Sequence, residues 1–245
     1  MKTVLITGAT RSIGLETAKQ LVKKGLFVYL GSRNIEKGNI IIEELKNDGI
    51  EGIKAIQLDV TDPASILAAR NFIEKDNGQL DILINNAGIS GKLPQNASNT
   101  PIGDIREAFE TNFFGTINVT QTFLPLLRNS ESPRITNVTS GLSSLTLHND
   151  PNWIFYAFKG ASYGPSKTAL NAYTIALAYE LKDTKFKVNA IDSGFTATDF
   201  NQHRGHGTVE EAAKFIIEHT LLEDEHATGQ FYSKDIAEDN KVSPW

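Results

Sequence analysis

Tyr163 and Lys167 are the residues whose types and spacing most clearly suggest chemistry. They belong to the run Tyr-Gly-Pro-Ser-Lys, which sets a phenol and an ammonium four positions apart. On a helix, that spacing puts both side chains on one face. A free phenol titrates near ~10 and a neighbouring cation favours its ionised form, so we expect the pair to exchange a proton near neutral pH. Pro165 fits a helix that begins near Ser162, because first-turn N–H groups have no intrahelical partner to lose.

A glycine-rich turn follows the first predicted strand and leads into a predicted helix. It runs from Thr7 through Gly8 and Ser12 to Gly14. Gly8 permits a tight turn, Gly14 permits close packing of the helix on the strand, and the helix N-terminus offers N–H donors to phosphate. This context predicts a pyrophosphate-binding loop, with an ordinary two-glycine loop as the alternative.

The end of the second predicted strand carries a base where NAD-specific folds carry an acid. Arg33 stands there, and Arg11 lies in the glycine turn. Guanidinium groups bind a 2′-phosphate, which a carboxylate would repel. We therefore expect NADP as the cofactor, with two solvated surface arginines as the alternative.

Short apolar strands alternate with longer helical stretches along the chain. The strands are apolar at successive positions, so we expect helices on both faces of a parallel sheet of about seven strands. With no linker to divide it, the chain is predicted to be one doubly wound, Rossmann-type α/β domain over residues 1–245. The predicted strands are Thr3–Thr7, Phe27–Gly31, Gly52–Leu58, Leu80–Asn85, Ile135–Thr139, Phe186–Ile191 and Gly229–Tyr232. The predicted helices are 13–25, 35–48, 63–76, 103–128, 162–183 and 208–219. Irregular stretches at 89–102, 141–161 and 192–207 each follow a strand and are expected to build the pocket.

Composition excludes several classes of function. The net charge is −5 with scattered basic residues, which argues against nucleic acid as a partner. The chain has no cysteine, so thiolate chemistry and cysteine metal sites are excluded. His203 and His206 lack an identifiable third ligand, so we expect no metal. We find no signal peptide or membrane span and expect a cytoplasmic protein without a membrane partner.

In their order along the chain, these motifs resemble those of the short-chain dehydrogenase/reductase family. Asp59-Val60 looks like the family's adenine-contacting pair, and Asn85-Asn86-Ala87-Gly88 matches its Asn-Asn-Ala-Gly motif. Ser12 stands where the family has glycine, and Ser193 where it has proline, so we expect modestly weaker cofactor contact. The resemblance implies these cofactor-binding residues: Gly8, Thr10, Arg11, Ser12, Ile13, Gly14, Arg33, Asp59, Val60, Asn86, Ala87, Gly88, Tyr163, Lys167, Gly194, Thr196 and Thr198.

The resemblance also implies four catalytic residues, Asn112, Ser140, Tyr163 and Lys167. Reducing a carbonyl requires a hydride and a proton for the emerging alkoxide, and Tyr163 is the acid. As in the family, Lys167 would hold the nicotinamide ribose, Ser140 would donate to the substrate oxygen, and Asn112 would position a water. The structural alternatives are a serine that ends a strand, an asparagine that caps or kinks a helix, and a half-buried core tyrosine.

These observations together predict NADPH-dependent reduction of a hydrophobic aldehyde or ketone to an alcohol. Aromatic side chains at Trp153, Phe155, Tyr156, Phe158 and Phe195 indicate an apolar pocket. Two alternatives remain, a non-catalytic NADP-binding redox sensor and an alcohol dehydrogenase working in the oxidative direction. A sensor would need no proton donor, whereas the reaction direction depends on the substrate and the cofactor ratio.

Two predicted helices, 103–128 and 162–183, carry more apolar surface than one sheet-facing stripe can bury. In the resembled family these helices usually pack against their copies in a dimer. Ser140 and Tyr163 stand farther apart here than is common, and the intervening segment 153–158 is mostly aromatic. We expect that segment to cover the helices and leave a monomer, as in carbonyl-reductase-like members. The alternative is that its aromatics line the substrate pocket.

Overall fold

A seven-stranded parallel sheet forms the centre of the protein. This computed structural model describes residues 1–223, 227–236 and 241–245. The strands are β1 Thr3–Ile6, β2 Phe27–Ser32, β3 Ile53–Gln57, β4 Ile82–Asn85, β5 Arg134–Val138, β6 Lys187–Asp192 and β7 Phe231–Ser233. Their order in the sheet is β3-β2-β1-β4-β5-β6-β7, and it reverses at β1, between β2 and β4, which is the switch point of a doubly wound sheet. The predicted Rossmann-type α/β fold is confirmed.

Helices cover both faces of the sheet. Successive residues of β1 enter different cores: Leu5 packs into the core that contains Phe123, whereas Val4 and Ile6 pack into the core that contains Leu21. This two-sided burial is the reason that β1 is apolar at the successive positions Val4, Leu5 and Ile6. The helices are α1 Ser12–Lys23, α2 Ile35–Asn47, α3 Pro63–Asn77, α4 Ile102–Phe109, α5 Gly115–Leu127, α6 Leu145–His148, α7 Tyr163–Glu180 and α8 Val209–Thr220. Within the described residues, none of these helices combines the length and apolarity needed to cross a bilayer.

The predicted helix 103–128 is interrupted by a π-helical turn. Glu110–Phe114 forms this turn and separates α4 from α5, and Asn112 lies within it. The loops predicted as irregular contain short helical turns at Gly141–Ser143 and Asp199–Asn201, as well as α6. Side-chain caps stabilise two of them, because the Ser140 and Ser144 hydroxyls accept from first-turn N–H groups. Such turns are too short to show a helical period in the sequence.

The aromatic segment 153–158 does not take the expected position over the helices. Phe155 packs against Phe195 with ring centroids 5.7 Å apart, so the segment lies along the cleft instead. On α7, Ile175 and Tyr179 remain 43% and 72% exposed. The expectation that this segment shields the helices is therefore wrong. The monomeric state stays a prediction, and coverage of the helices by segment 153–158 no longer supports it.

Candidate active site

A cleft of about 1750 Å³ runs along the carboxyl ends of the strands. Three of the four catalytic candidates, Ser140, Tyr163 and Lys167, line this cleft. Asn112 is buried behind its wall. The following predicted cofactor residues line it: Gly8, Thr10, Arg11, Ser12, Ile13, Gly14, Arg33, Asp59, Val60, Asn86, Ala87, Gly88, Tyr163, Lys167, Gly194, Thr196 and Thr198. Residues that are far apart in the sequence thus share one surface, as parallel strands ending at one edge would arrange them.

The glycine turn has the shape that a pyrophosphate loop requires. Gly8 has φ +63° and Ser12 has φ +52°, so the serine adopts the left-handed conformation in which the family's glycine is unstrained. A Cβ on Gly14 would lie 2.6 Å from the Asn86 amide nitrogen and 2.9 Å from the Gly8 carbonyl oxygen. No side chain of the described chain caps the N-terminus of α1. Its first N–H groups therefore face the cleft as donors for phosphate, and the residues fit a dinucleotide.

Three basic side chains surround the end of the cleft next to β2. Arg33 is exposed at the cleft just before α2, and Lys37 lies on the same rim in the first turn of α2. Arg11 forms an ion pair with Asp199, with 3.5 Å between guanidinium nitrogen and carboxylate oxygen, and both side chains are largely exposed. An exposed pair of this kind is weak, so a phosphate can compete for the arginine. Sequence reasoning missed Lys37, although a basic residue in the first turn of the predicted helix 35–48, close after Arg33, was a usable signal.

The Tyr163 side chain lies at the middle of the cleft. The Ser140 hydroxyl donates a hydrogen bond to the phenol oxygen, and the Phe200 ring packs edge-on against the tyrosine ring at 5.4 Å. Burial raises the pKa of Tyr163 and the nearby Asp192 carboxylate raises it further, whereas the bond from Ser140 lowers it. The expected lowering of this pKa by Lys167 is therefore wrong for the structure. Burial sets the direction of the pKa shift instead, and the phenol keeps its proton.

Lys167 is buried one turn after Tyr163 and keeps only 4% of its surface exposed. Its ammonium donates to the Val138 carbonyl oxygen at 2.8 Å, at the end of β5. Burial lowers the pKa of Lys167 to about 8, because water no longer solvates the charge. Gly88 lies beside the ammonium, and a Cβ there would be 3.5 Å from the nitrogen. The lysine thus remains mostly charged at neutral pH while being able to exchange its proton.

Asn112 connects two walls of the cleft from behind. Its amide oxygen accepts from the Ile89 N–H at 2.8 Å, and its amide nitrogen donates to the Ile89 carbonyl and to the Ser166 hydroxyl, each at 2.9 Å. Ser166 lies between Tyr163 and Lys167, so Asn112 ties the loop after β4 to the helix that carries them. These bonds occupy the amide, and the water-positioning role stays a prediction.

Gln95 holds the start of α7 and was not identified from the sequence. Its side-chain oxygen accepts from the Tyr163 N–H at 3.0 Å, although 68 positions separate the two residues. Its amide nitrogen donates to the Ser90 carbonyl at 2.7 Å. Ser162, at the N-cap position, makes no side-chain cap of its own. Gln95 therefore supplies the missing cap and fixes the position of the tyrosine.

The other end of the cleft is largely apolar. Phe155 and Phe158 pack edge-on at 6.0 Å, and both line the cleft together with Phe195. Trp153 packs behind Phe155, at 5.5 Å between ring centroids. Tyr156 lies outside the cleft, where the Lys159 ammonium stands 4.1 Å from its ring. Three of the five aromatics predicted for the pocket therefore face it.

The loop after β6 lines the cleft with Gly194, Thr196 and Thr198. Gly194 has φ +80°, and the Thr196 hydroxyl donates to the Gly194 carbonyl at 3.2 Å. His203 lies 2.9 Å from Asp199, and His206 lies 3.9 Å from Asp235. Among the described residues, no three histidine or carboxylate side chains come together as metal ligands would.

The fold and the cleft define a Rossmann-type oxidoreductase, and comparison with known proteins gives the family. Residues 2–208 match the short chain dehydrogenase model, and the chain belongs to the short-chain dehydrogenase/reductase family. Members of this family use NAD or NADP to act on carbonyl or alcohol substrates.

Relatives and solved structures of similar length support this membership. Salutaridine reductase of Papaver bracteatum is 31% identical, with 95% of this chain and 94% of the relative covered. (+)-Neomenthol dehydrogenase of Arabidopsis thaliana is 32% identical, with 94% and 95% covered. The structure of carbonyl reductase from chicken fatty liver, solved with NADPH bound, superposes with a TM-score of 0.86 at 25% identity, covering 100% of this chain and 99% of that one.

Proposed function

We propose that this protein reduces hydrophobic aldehydes or ketones to alcohols with NADPH, and that Tyr163 is the proton donor. One observation carries the proposal: a Ser140-bonded phenol that keeps its proton stands beside a buried lysine, between a basic and an aromatic end of one cleft. When bound, NADPH supplies the hydride. The same residues would serve alcohol oxidation, and the relatives are named both as reductases and as dehydrogenases.

The side chains divide the chemical work among them. The Ser140 hydroxyl has a single proton, which it can turn from the phenol oxygen to a carbonyl oxygen seated beside it. Tyr163 gives its proton to that oxygen as negative charge develops on it. Lys167, with a pKa of about 8, carries a proton that can restore the phenol and keeps a positive charge close to the reacting atoms. The Asn112 and Gln95 contacts hold the tyrosine helix in place.

The basic end of the cleft supports NADPH over NADH. Among the residues that the structure describes, neither Arg33 nor Lys37 forms an ion pair, so both can meet a 2′-phosphate at the end of β2. No acidic residue follows that strand at the position where it would bind a ribose hydroxyl. A guanidinium binds phosphate through charge-assisted hydrogen bonds. The carbonyl reductase solved with NADPH bound is a structural relative over the full length of this chain.

The aromatic end supports a hydrophobic substrate. Phe155, Phe158 and Phe195 offer apolar surface within the cleft, and burying one apolar side chain contributes about 1.5–3 kcal/mol. An apolar group on the carbonyl compound would bury such surface. A sugar would lose hydrogen bonds to water without replacement there.

A panel of carbonyl compounds followed by NADPH absorbance tests both the reaction and the pocket. We expect aryl and cyclic ketones to be reduced with higher kcat/KM than short polar aldehydes or keto acids. Phe155→Ala should raise KM for the best hydrophobic ketone by about tenfold, because one apolar contact surface is lost. The same variant should have little effect on KM for a small aldehyde.

Tyr156→Ala is the matched control, since Tyr156 belongs to the same segment but lies outside the cleft. It should leave KM for both substrates near the wild-type value. A preference for phosphorylated or carboxylate substrates, or equal effects of the two variants, would contradict the proposed substrate class.

A further inference from the structure

Asp192 is a buried carboxylate at the end of β6 that joins two functional loops. It is 5% exposed. One carboxylate oxygen accepts from the Gly194 N–H at 3.1 Å, and the other accepts from the Ser233 hydroxyl at 2.7 Å. The Gly141 N–H also donates to the carboxylate. Gly141 directly follows Ser140, and Gly194 begins the loop that contains the predicted cofactor residues Thr196 and Thr198. The Asp192 side chain therefore connects these two segments.

The ionised form is the one that suits these contacts. Gly141 and Gly194 offer backbone N–H groups, which can only donate, and an ionised carboxylate accepts on both oxygens. An amide nitrogen cannot accept at all, so an asparagine would leave one of these donors without a partner. A protonated acid could turn its hydroxyl toward Ser233, which can accept, but that oxygen would accept more weakly than a carboxylate oxygen from the remaining donors. A buried unpaired donor costs its full desolvation. Loss of the charge should therefore loosen one of the two turns.

A second carboxylate, that of Asp235, lies near Asp192. Among the described residues, no lysine, arginine or histidine forms an ion pair with Asp192. The titratable groups on the elements packed against it are Asp235 and Lys234 after β7, Tyr163 and Lys167 on α7, His148 after the serine turn, and His206 in the loop after β6. Lys234 is paired with Glu211 at 2.9 Å, and the Lys167 ammonium bonds to Val138. Burial first, and then Asp235, raise the pKa of Asp192 to about 6.

We propose that Asp192 is a positioning residue whose ionised carboxylate holds the Ser140 turn and the Gly194 loop in their working arrangement. This rests on the proposed function for what Ser140 and the loop do. The site then works fully only above the pH at which Asp192 loses its proton. Below that pH the two turns lose a shared anchor, and both cofactor binding and carbonyl reduction weaken.

The test follows two readouts from pH 5 to pH 8: the Kd of NADPH by its fluorescence, and kcat/KM for carbonyl reduction. For the wild type we expect Kd to rise and kcat/KM to fall about tenfold as pH drops through about 6. The Asp192→Asn variant should bind NADPH weakly at every pH, and its Kd and kcat/KM should show no transition near pH 6. Asp235→Asn should move the transition to lower pH, because it removes the neighbouring negative charge that raises the Asp192 pKa.

The two variants keep the idea falsifiable. The 2′-phosphate of NADPH itself titrates near pH ~6, so a transition that survives in Asp192→Asn belongs to the ligand and overturns the proposal. If Asp192→Asn does not fold by circular dichroism, an unmoved transition in Asp235→Asn overturns it instead. The Kd readout needs no turnover. A wild type that binds NADPH with this transition but reduces no carbonyl would contradict the proposed function and leave the Asp192 role supported.

Discussion

Tyr163→Phe is expected to lower kcat for carbonyl reduction by roughly 10²–10⁴-fold, the contribution of a placed general acid. The phenylalanine ring keeps its packing against Phe200 but has no proton for the carbonyl oxygen. NADPH affinity should remain close to wild type, because the turn at Gly8, the Arg33 guanidinium and Lys167 are unchanged. Steady-state kinetics and NADPH fluorescence titration measure the two quantities separately.

Tyr179→Phe is the matched control for this substitution. It makes the same chemical change on the same helix, at a residue that is 72% exposed. It should leave both kcat and NADPH affinity unchanged. If Tyr163→Phe retained more than about a tenth of wild-type kcat, a group other than Tyr163 would have to supply the proton.

Arg33→Asp is expected to reverse the cofactor preference. The wild type should prefer NADPH over NADH by at least about tenfold in kcat/KM, since one charge-assisted contact contributes about 1.5–3 kcal/mol. An aspartate at this position repels the 2′-phosphate and can accept from the ribose hydroxyls of NADH. Lys37 remains on the same rim, so some NADPH activity should survive. The ratio of kcat/KM values for the two cofactors is the measurement.

Arg106→Asp provides an equal change of charge at an exposed position on α4, outside the cleft. It should leave the cofactor ratio as in the wild type. Equal turnover of both cofactors by the wild type, or an unchanged ratio in Arg33→Asp, would show that Arg33 is only a solvated surface charge.

Features that depend on local spacing could be predicted from the sequence. The four-residue interval between Tyr163 and Lys167 puts both on one face of α7, and the helix begins at Tyr163, one residue from the expected start. The glycine turn was predictable because strand, turn and helix follow one another in the chain. The doubly wound α/β class could be predicted because continuous apolar strands alternate with helices along the chain.

Features that depend on tertiary contacts could not be predicted. Gln95 caps the Tyr163 helix across 68 positions, and nothing in its neighbourhood in the sequence marks it. The direction of the Tyr163 pKa depends on how deeply the phenol is buried, which only the packed structure gives. The aromatic segment 153–158 was compatible with two positions, and the contact of Phe155 with Phe195 places it along the cleft.

Asp192 shows how a residue can be visible in the sequence and still lack a role there. It stands directly before Ser193, and nothing in its neighbourhood in the sequence marks its partners. Its part depends on three donors that come from separate segments: Gly141, Gly194 and Ser233. Only the meeting of β6 with its neighbours makes the carboxylate a link between them.

Transfer of deuterium from NADPH to a ketone tests the central claim most directly. NADPH labelled at the transferable position of its nicotinamide ring is incubated with the protein and a hydrophobic ketone, and the alcohol is analysed by mass spectrometry and NMR. The account predicts an alcohol with a single deuterium on its carbinol carbon, and at most trace product with Tyr163→Phe. Tight binding of NADPH without label in any alcohol across the carbonyl panel would contradict it and favour a cofactor-binding protein without turnover.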